Sequence, residues 1–127
     1  MTTFRDVLSG FVETNLCLYS FVFALPASAR TVILVEGFFS VFWLHQCGFE
    51  NVVALMGSSM SGQQREFLCS RFAGVRVLMD GDDAGNAAAA TIAAELVGSM
   101  WVKAIPCPDG MQPDNLVPDE LEELLKG

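Results

Sequence analysis

The chain has 127 residues, of which 52% are hydrophobic and 17% are charged, and this balance excludes a disordered chain and predicts one folded domain. Its 15 Asp and Glu residues outnumber its 7 Lys and Arg residues, which gives a formal net charge of −8. Such an acidic surface argues against a domain that grips nucleic acid by general electrostatic attraction, because phosphate contacts need basic side chains.

Residues 1–30 do not share the alternation of strands and helices that the sequence shows from residue 31 onward. We interpret them as a separate N-terminal segment that is either helical over residues 2–15 or a remnant of a larger protein. The apolar stretch 16–29 ends in small residues as a signal peptide does, but no positively charged region precedes it. It is also too short for a typical membrane span. We therefore predict a cytoplasmic protein with no membrane association.

From residue 31 onward, apolar strands alternate with helices. We predict strands over residues 31–37, 51–57, 75–82 and 101–108, and helices over residues 38–48, 61–72, 84–98 and 118–127. Continuous apolar strands are typically buried on both faces, and a strand–helix alternation implies right-handed crossovers between parallel strands. Residues 31–127 are therefore predicted to form one α/β domain, an open parallel four-stranded sheet flanked by helices.

Four cysteines are spread along the chain, at Cys17, Cys47, Cys69 and Cys107. None of them are paired at the spacing of a zinc site, and the chain is not a small disulfide scaffold. We interpret all four as buried thiols in a reducing compartment. The two tryptophans, Trp43 and Trp101, are predicted to lie in the core, since no basic residues are interleaved with them for stacking on nucleic-acid bases.

Acidic residues follow three of the four predicted strands. Glu36 ends the first strand, Asp80 and Asp82 end the third, and Asp114 lies in the loop after the fourth. In open parallel sheets the ligand site lies beyond the carboxyl ends of the strands, so these carboxylates are expected to meet at one rim. Clustered carboxylates favour a neutralising cation, and hard oxygen ligands suit Mg²⁺ or Mn²⁺.

The same residues also have an ordinary structural interpretation. Asp-Gly pairs are common turn signals, and an acid at the start of a helix is a common cap. The combination is more specific, because an apolar strand followed by Glu-Gly and another followed by Asp-x-Asp occur in one alternation of four strands.

Four stretches resemble the Toprim domain, most closely that of bacterial DnaG-type primases: VILVEG, VVALMGSSMSGQQREFL, VRVLMDGDDAGNAAAATIAAEL and IPCPDGMQPDNL. The resemblance covers residues 31–117 and implies a Rossmann-like fold, a Mg²⁺ or Mn²⁺ cofactor and primase-type nucleotidyl transfer. It also implies that Glu36 is the catalytic acid/base and that Asp80, Asp82 and Asp114 bind the metal. The family's turn glycines match Gly37, Gly57, Gly81 and Gly85.

Three positions depart from the primase pattern. Ser40 and Gln112 stand where that pattern has acids, and Asn86 stands where it has a basic residue. Each change removes charge that would help to hold metal or phosphate.

Three functions therefore stay open. The first is a Mg²⁺-dependent nucleotidyl-transfer domain of a larger primase-like protein, the second a non-catalytic scaffold or interaction module, and the third a Toprim nuclease. The implied partners are DNA or RNA, bound with the help of other domains, and proteins of replication or of mobile elements.

Overall fold

The computed structural model describes residues 28–57 and 59–126. The elements, in chain order, are β1 (Thr31–Val35), α1 (Phe38–Gln46), β2 (Val52–Ala54), α2 (Gly62–Arg71), β3 (Gly74–Val77), α3 (Asp83–Leu96), β4 (Trp101–Ala104), a 3-10 helix (Pro113–Asn115) and α4 (Pro118–Leu124). The predictions for residues 1–27, including that for Cys17, lie outside the described residues.

The four strands form one parallel sheet in the order β2-β1-β3-β4. This confirms the predicted open parallel α/β sheet. The chain moves from β1 to β2 in one direction and then returns to β3 on the other side of β1, so right-handed crossovers place α1 on one face and α2 and α3 on the other. The direction changes between β1 and β3, and the carboxyl ends of these two strands form a topological switch point.

The strands are shorter than predicted. β3 ends at Val77 and β4 at Ala104. Leu78 still donates its backbone N–H to the Leu34 carbonyl at 2.8 Å, and Met79 is buried, but the chain then leaves the sheet. The apolar residues after β3 therefore belong to the core although they extend beyond the strand.

The hydrophobic core is concentrated around β1. Val32, Leu34 and Val35 are fully buried, as are the three residues of β2. β4 is an edge strand like β2, but most of its residues are exposed, and Trp101 is 48% exposed. The prediction of burial on both faces is wrong for β4, and so is the core placement of Trp101.

The helix α2 begins with a reciprocal cap. The Ser61 hydroxyl accepts a hydrogen bond from the Gln64 backbone N–H at 3.1 Å, and the Gln64 side chain accepts one from the Ser61 N–H at 2.9 Å. Gln64 also donates its side-chain amide to the Leu55 carbonyl at 3.2 Å, which ties α2 to the end of β2. None of the helices within residues 28–57 and 59–126 is long and apolar enough to cross a lipid bilayer.

The cysteines in the described part of the chain are free thiols. Cys107 is buried, as predicted, whereas Cys47 and Cys69 are only half-buried.

Candidate active site

Glu36 and Asp80 meet at the switch point, because Glu36 directly follows β1 and Asp80 comes three residues after the end of β3. The pKa of Asp80 is raised to about 6, first by burial and then by the charge of Glu36 and a hydrogen bond to it, in which the protonated Asp80 donates. Asp82 and Asp114 add smaller electrostatic effects in the same direction. The Oε2 atom of Glu36 is buried without a hydrogen-bond partner. The site is therefore rich in carboxylate oxygen and poor in positive charge.

Asp82 lies at the start of α3, where it also serves as the helix cap. Its Oδ1 accepts a hydrogen bond from the Gly85 N–H at 2.6 Å, and its side chain is exposed. Negative charge is favourable at a helix N-terminus, so this carboxylate suits its place at the start of α3. The structural interpretation of Asp82 as a cap is thus confirmed, and its electrostatic effect on Asp80 places it beside the site as well.

Asp114 reaches the site from the loop after β4. It lies in the 3-10 helix, and its Oδ1 accepts a hydrogen bond from the Ser40 hydroxyl at 3.3 Å. Ser40 is on the first turn of α1 and is only 5% exposed. Asp114 is therefore held by a side chain that lies 74 positions earlier in the sequence.

The segment around Gly81 is joined to the same loop by its backbone. The Gly81 N–H donates to the Met111 carbonyl, and the Gly110 N–H donates to the Gly81 carbonyl, each at 2.7 Å. Gly110 has a φ of 74°, a left-handed conformation that glycine adopts most easily. These bonds hold the loop against the Asp80-Gly81-Asp82 segment.

Gly81 and Gly85 are required by close approaches of the chain to itself. A Cβ atom at Gly85 would overlap the carbonyl oxygen of Asp80, and one at Gly81 would lie 2.9 Å from the carbonyl oxygen of Cys107. Gly37 and Gly57, in contrast, have open space where a Cβ atom would lie. The close approaches are therefore found at Gly81 and Gly85, against protein backbone.

Cys107 lies next to these acids, but its thiol is unreactive. Burial raises the pKa of its thiol to about 11, and the charge of Asp80 adds to the effect. The thiol donates to the Met111 carbonyl at 3.4 Å. A thiol that stays protonated is neither a nucleophile nor a metal ligand.

The acids do not form a finished cation cage. Across residues 28–57 and 59–126, no three His, Cys, Asp or Glu side chains converge closely enough to hold a metal ion. The donor set nevertheless suits Mg²⁺ or Mn²⁺, because magnesium retains several waters and takes only one or two carboxylates from a protein. The unpartnered oxygen of Glu36 and the raised pKa of Asp80 are both features that a bound cation would relieve.

A family model described as the Toprim domain matches residues 30–104. The chain belongs to the Toprim domain family. The matched residues include Glu36, Asp80 and Asp82, and they end before the loop that carries Asp114.

Curated relatives of this Toprim domain are DNA primases. The primase of Rickettsia typhi is 38% identical over 89 residues, which cover 67% of this chain and 15% of that protein. The primase of Clostridium acetobutylicum is 36% identical over 104 residues, which cover 79% of this chain and 17% of that protein. The Toprim chain thus spans about a sixth of the length of these relatives.

Solved primase structures share the fold. The Aquifex aeolicus primase, solved as its zinc-binding and RNA polymerase domains, has a TM-score of 0.67 and 34% identity over 75% of this chain and 25% of its own. The E. coli primase catalytic core has a TM-score of 0.68 and 29% identity over 86% of this chain and 36% of its own. These similarities confirm the resemblance of this Toprim domain to the DnaG-type primases.

Two side-chain contacts were not predicted from the sequence. One is the hydrogen bond from Ser40 to Asp114. The other brings the Arg76 guanidinium to 5.3 Å from the centroid of the Trp101 ring. Arg76 is not interleaved with Trp101 in the sequence but comes from the neighbouring strand β3, where the register places Gly74 beside Trp101 and Arg76 beside Lys103.

Proposed function

We propose that this Toprim domain binds Mg²⁺ or Mn²⁺ and provides the cation-binding part of a primase-type nucleotidyl-transfer site, acting in the cytoplasm with other domains. The observation that carries the proposal is the crowding of carboxylates around Asp80, whose pKa is raised to about 6. Membership of the Toprim family and the primase relatives support the same chemistry. Part of each relative lies outside the match, so the activity is assigned to an assembly that includes this domain.

Each acid has a distinct role in this proposal. Asp80 and Asp82 hold the cation, and Asp114 adds a third carboxylate from the loop. Glu36 acts as the acid/base group beside Asp80. The cation, when bound, supplies charge stabilisation at the attacking and leaving oxygens of phosphoryl transfer.

The nucleic acid must be held mainly by other parts of the assembly. The net charge of −8 gives this domain little attraction for a phosphate backbone. One solved relative is a DnaG primase catalytic domain bound to ssDNA, with a TM-score of 0.66 and 29% identity. We infer that DNA is the nucleic acid and that proteins of replication are the further partners.

A calorimetric titration with Mn²⁺ tests the metal site. We expect one bound ion per chain and a loss of affinity of at least about tenfold in the Asp80→Asn, Asp82→Asn double variant. Asparagine still caps a helix, so the double variant should remain folded. Asp83→Asn is the matched control, since Asp83 is exposed on the first turn of α3 and does not contribute to the raised pKa of Asp80. Equal affinity in the double variant and the native chain would rule out this site.

A chimeric primase tests the activity. We expect primer synthesis when the matched segment of the Clostridium acetobutylicum primase is replaced by this chain, and a loss of at least about a hundredfold in the same chimera carrying Glu36→Gln. The amide is close in size to the carboxylate but holds no exchangeable acid proton. Equal synthesis with and without Glu36→Gln would remove Glu36 from the mechanism.

A non-catalytic Toprim module is the second candidate, and three observations favour it. Asp82 already serves as a helix cap, and the described residues contain no finished cluster of metal ligands. Ser40 and Gln112 also lower the negative charge compared with the primase pattern. A folded native chain that takes up no Mn²⁺ would favour this candidate over the catalytic one.

A further inference from the structure

The helix α1 and the loop after β4 are joined by two side-chain hydrogen bonds. The Ser40 hydroxyl donates to Asp114 Oδ1 at 3.3 Å, and the Trp43 indole N–H donates to the Leu116 carbonyl at 2.6 Å. Residues three apart lie on the same face of a helix, so both bonds come from one face of α1. The loop is therefore held at two points, one on its backbone and one on its carboxylate.

The bond from Ser40 is the one that orients the acid. Ser40 is 5% exposed, so its hydroxyl has little access to water. The hydroxyl is the side-chain group through which α1 contacts the Asp114 carboxyl. The first turn of α1 contains no acidic residue, and the partial positive charge of the helix N-terminus adds to the attraction for Asp114.

We propose that Ser40 is a positioning residue that holds the Asp114 carboxylate at the Asp80 site before any cation binds. The Trp43 bond holds the loop by its backbone, and the Ser40 bond holds it by the Asp114 carboxyl and so sets the direction of that acid. A carboxylate in place of Ser40 would face Asp114 as a like charge, and the loop would then need a cation in order to dock. With serine, the docked loop is the resting state of the metal-free protein. The inference rests on the proposed role of Asp114 as a metal ligand.

Hydrogen exchange of the full chain without metal tests the first half of the proposal. The Asn115 and Leu116 amides, which bond to the Gln112 and Pro113 carbonyls, report on the loop. We expect Ser40→Ala to speed their exchange by about tenfold and Ser40→Thr, which keeps the hydroxyl, to restore it to within about threefold of the native rate. Ser70→Ala is the matched control, because the Ser70 hydroxyl bonds only within α2, to the Phe67 carbonyl.

Titration with Mn²⁺ tests the second half. We expect about tenfold weaker binding in Ser40→Ala, native binding in Ser70→Ala and recovery in Ser40→Thr. In Ser40→Asp we expect a loosened loop without metal and restored amide protection when Mn²⁺ is added.

The outcomes separate this inference from the proposed function. Unchanged loop exchange in Ser40→Ala would overturn the inference, and so would faster exchange with unchanged Mn²⁺ affinity, which would make Ser40 merely structural. If the native chain binds no Mn²⁺, the proposed metal site fails. The exchange of Ser40→Ala and its rescue by Ser40→Thr would then still decide whether Ser40 holds the loop acid.

Discussion

At the scale of single residues, Asp80 is the group whose chemistry differs most from its ordinary behaviour. Its carboxyl is half-buried, bonded to Glu36 and near two further acids, which together raise its pKa to about 6. The folded metal-free protein therefore retains a proton that the unfolded chain releases. Stability and pH are linked through that proton.

The pH dependence of stability follows from this shift. Between the ordinary pKa of an aspartate and about 6, the folded state binds more protons than the unfolded state, so the free energy of unfolding falls as pH rises through this window and levels off above it. The loss should be on the order of 1 kcal/mol, since solvent screens part of the effect. Urea denaturation of the metal-free chain from pH 4 to 7 measures it.

Asp80→Asn should remove this slope, whereas Asp83→Asn should keep it. A variant without Asp80 that still lost stability over the same pH range would place the effect on another group.

The sequence predicted the acids of the site better than their surroundings. Glu36, Asp80 and Asp82 could be placed together because each follows a strand of a parallel sheet, and that rule needs only the local pattern. The bond from Ser40 to Asp114 joins residues 74 positions apart, and no local pattern reveals a contact of that kind. The open alternative that Asp82 is a cap was correct and did not exclude its place beside the site.

At the scale of elements, the position of α3 depends on one close approach. The start of this helix packs against the backbone of Asp80 at Gly85, where a Cβ atom would overlap the Asp80 carbonyl oxygen. The alanine-rich surface of the helix continues this close contact, and Ala88 and Ile92 are buried. The helix thus supports the strand end that carries the acids.

Replacement of Gly85 tests this packing. We expect Gly85→Ala to lower the free energy of unfolding by about 3 kcal/mol, because the clash is with backbone and cannot be relieved by a rotamer change. Gly98→Ala is the control, since a Cβ atom there meets open space, and it should change stability by less than about 0.5 kcal/mol. Urea denaturation measures both, and equal stabilities of the two variants would contradict the close approach.

The order of the elements was predictable, but their ends were not. The predicted third strand included residues 75–82, and the structure ends β3 at Val77 because the following residues leave the ladder to form the site. Apolar character continues through Leu78 and Met79, which are buried in the core outside the strand. Hydrophobicity therefore reports burial, and it does not report where backbone pairing stops.

At the scale of the whole molecule, burial falls from β1 and β2 to the outer strand β4. Leu34 in β1 is completely buried, whereas Trp101 in β4 is 48% exposed although it is the larger side chain. The sequence did not show this difference, since all four strands read as apolar runs. The strand order does not account for it either, since β2 and β4 both lie at edges of the sheet.

Side-chain size alone predicts a larger loss of stability from truncation of Trp101 than from truncation of Leu34. The burial of the two residues predicts the opposite. We expect Leu34→Ala to cost about 3–4 kcal/mol of unfolding free energy, through lost transfer energy and a cavity. Trp101→Ala should cost only about 1 kcal/mol, because solvent already reaches half of the ring. Chemical denaturation compares the two, and a larger loss for Trp101→Ala would show that β4 is better packed than the structure indicates.

The hydrogen bonds between Gly81 and the loop after β4 also determine when the site can form during synthesis of the chain. During translation Glu36 emerges from the ribosome first, and the Asp80 segment follows. The residues around Met111, which bond to Gly81, emerge later. The parallel sheet can close through Ala104 before Asp114 arrives. The acidic site is therefore completed only after the four strands have been made, when the loop brings Asp114 to it.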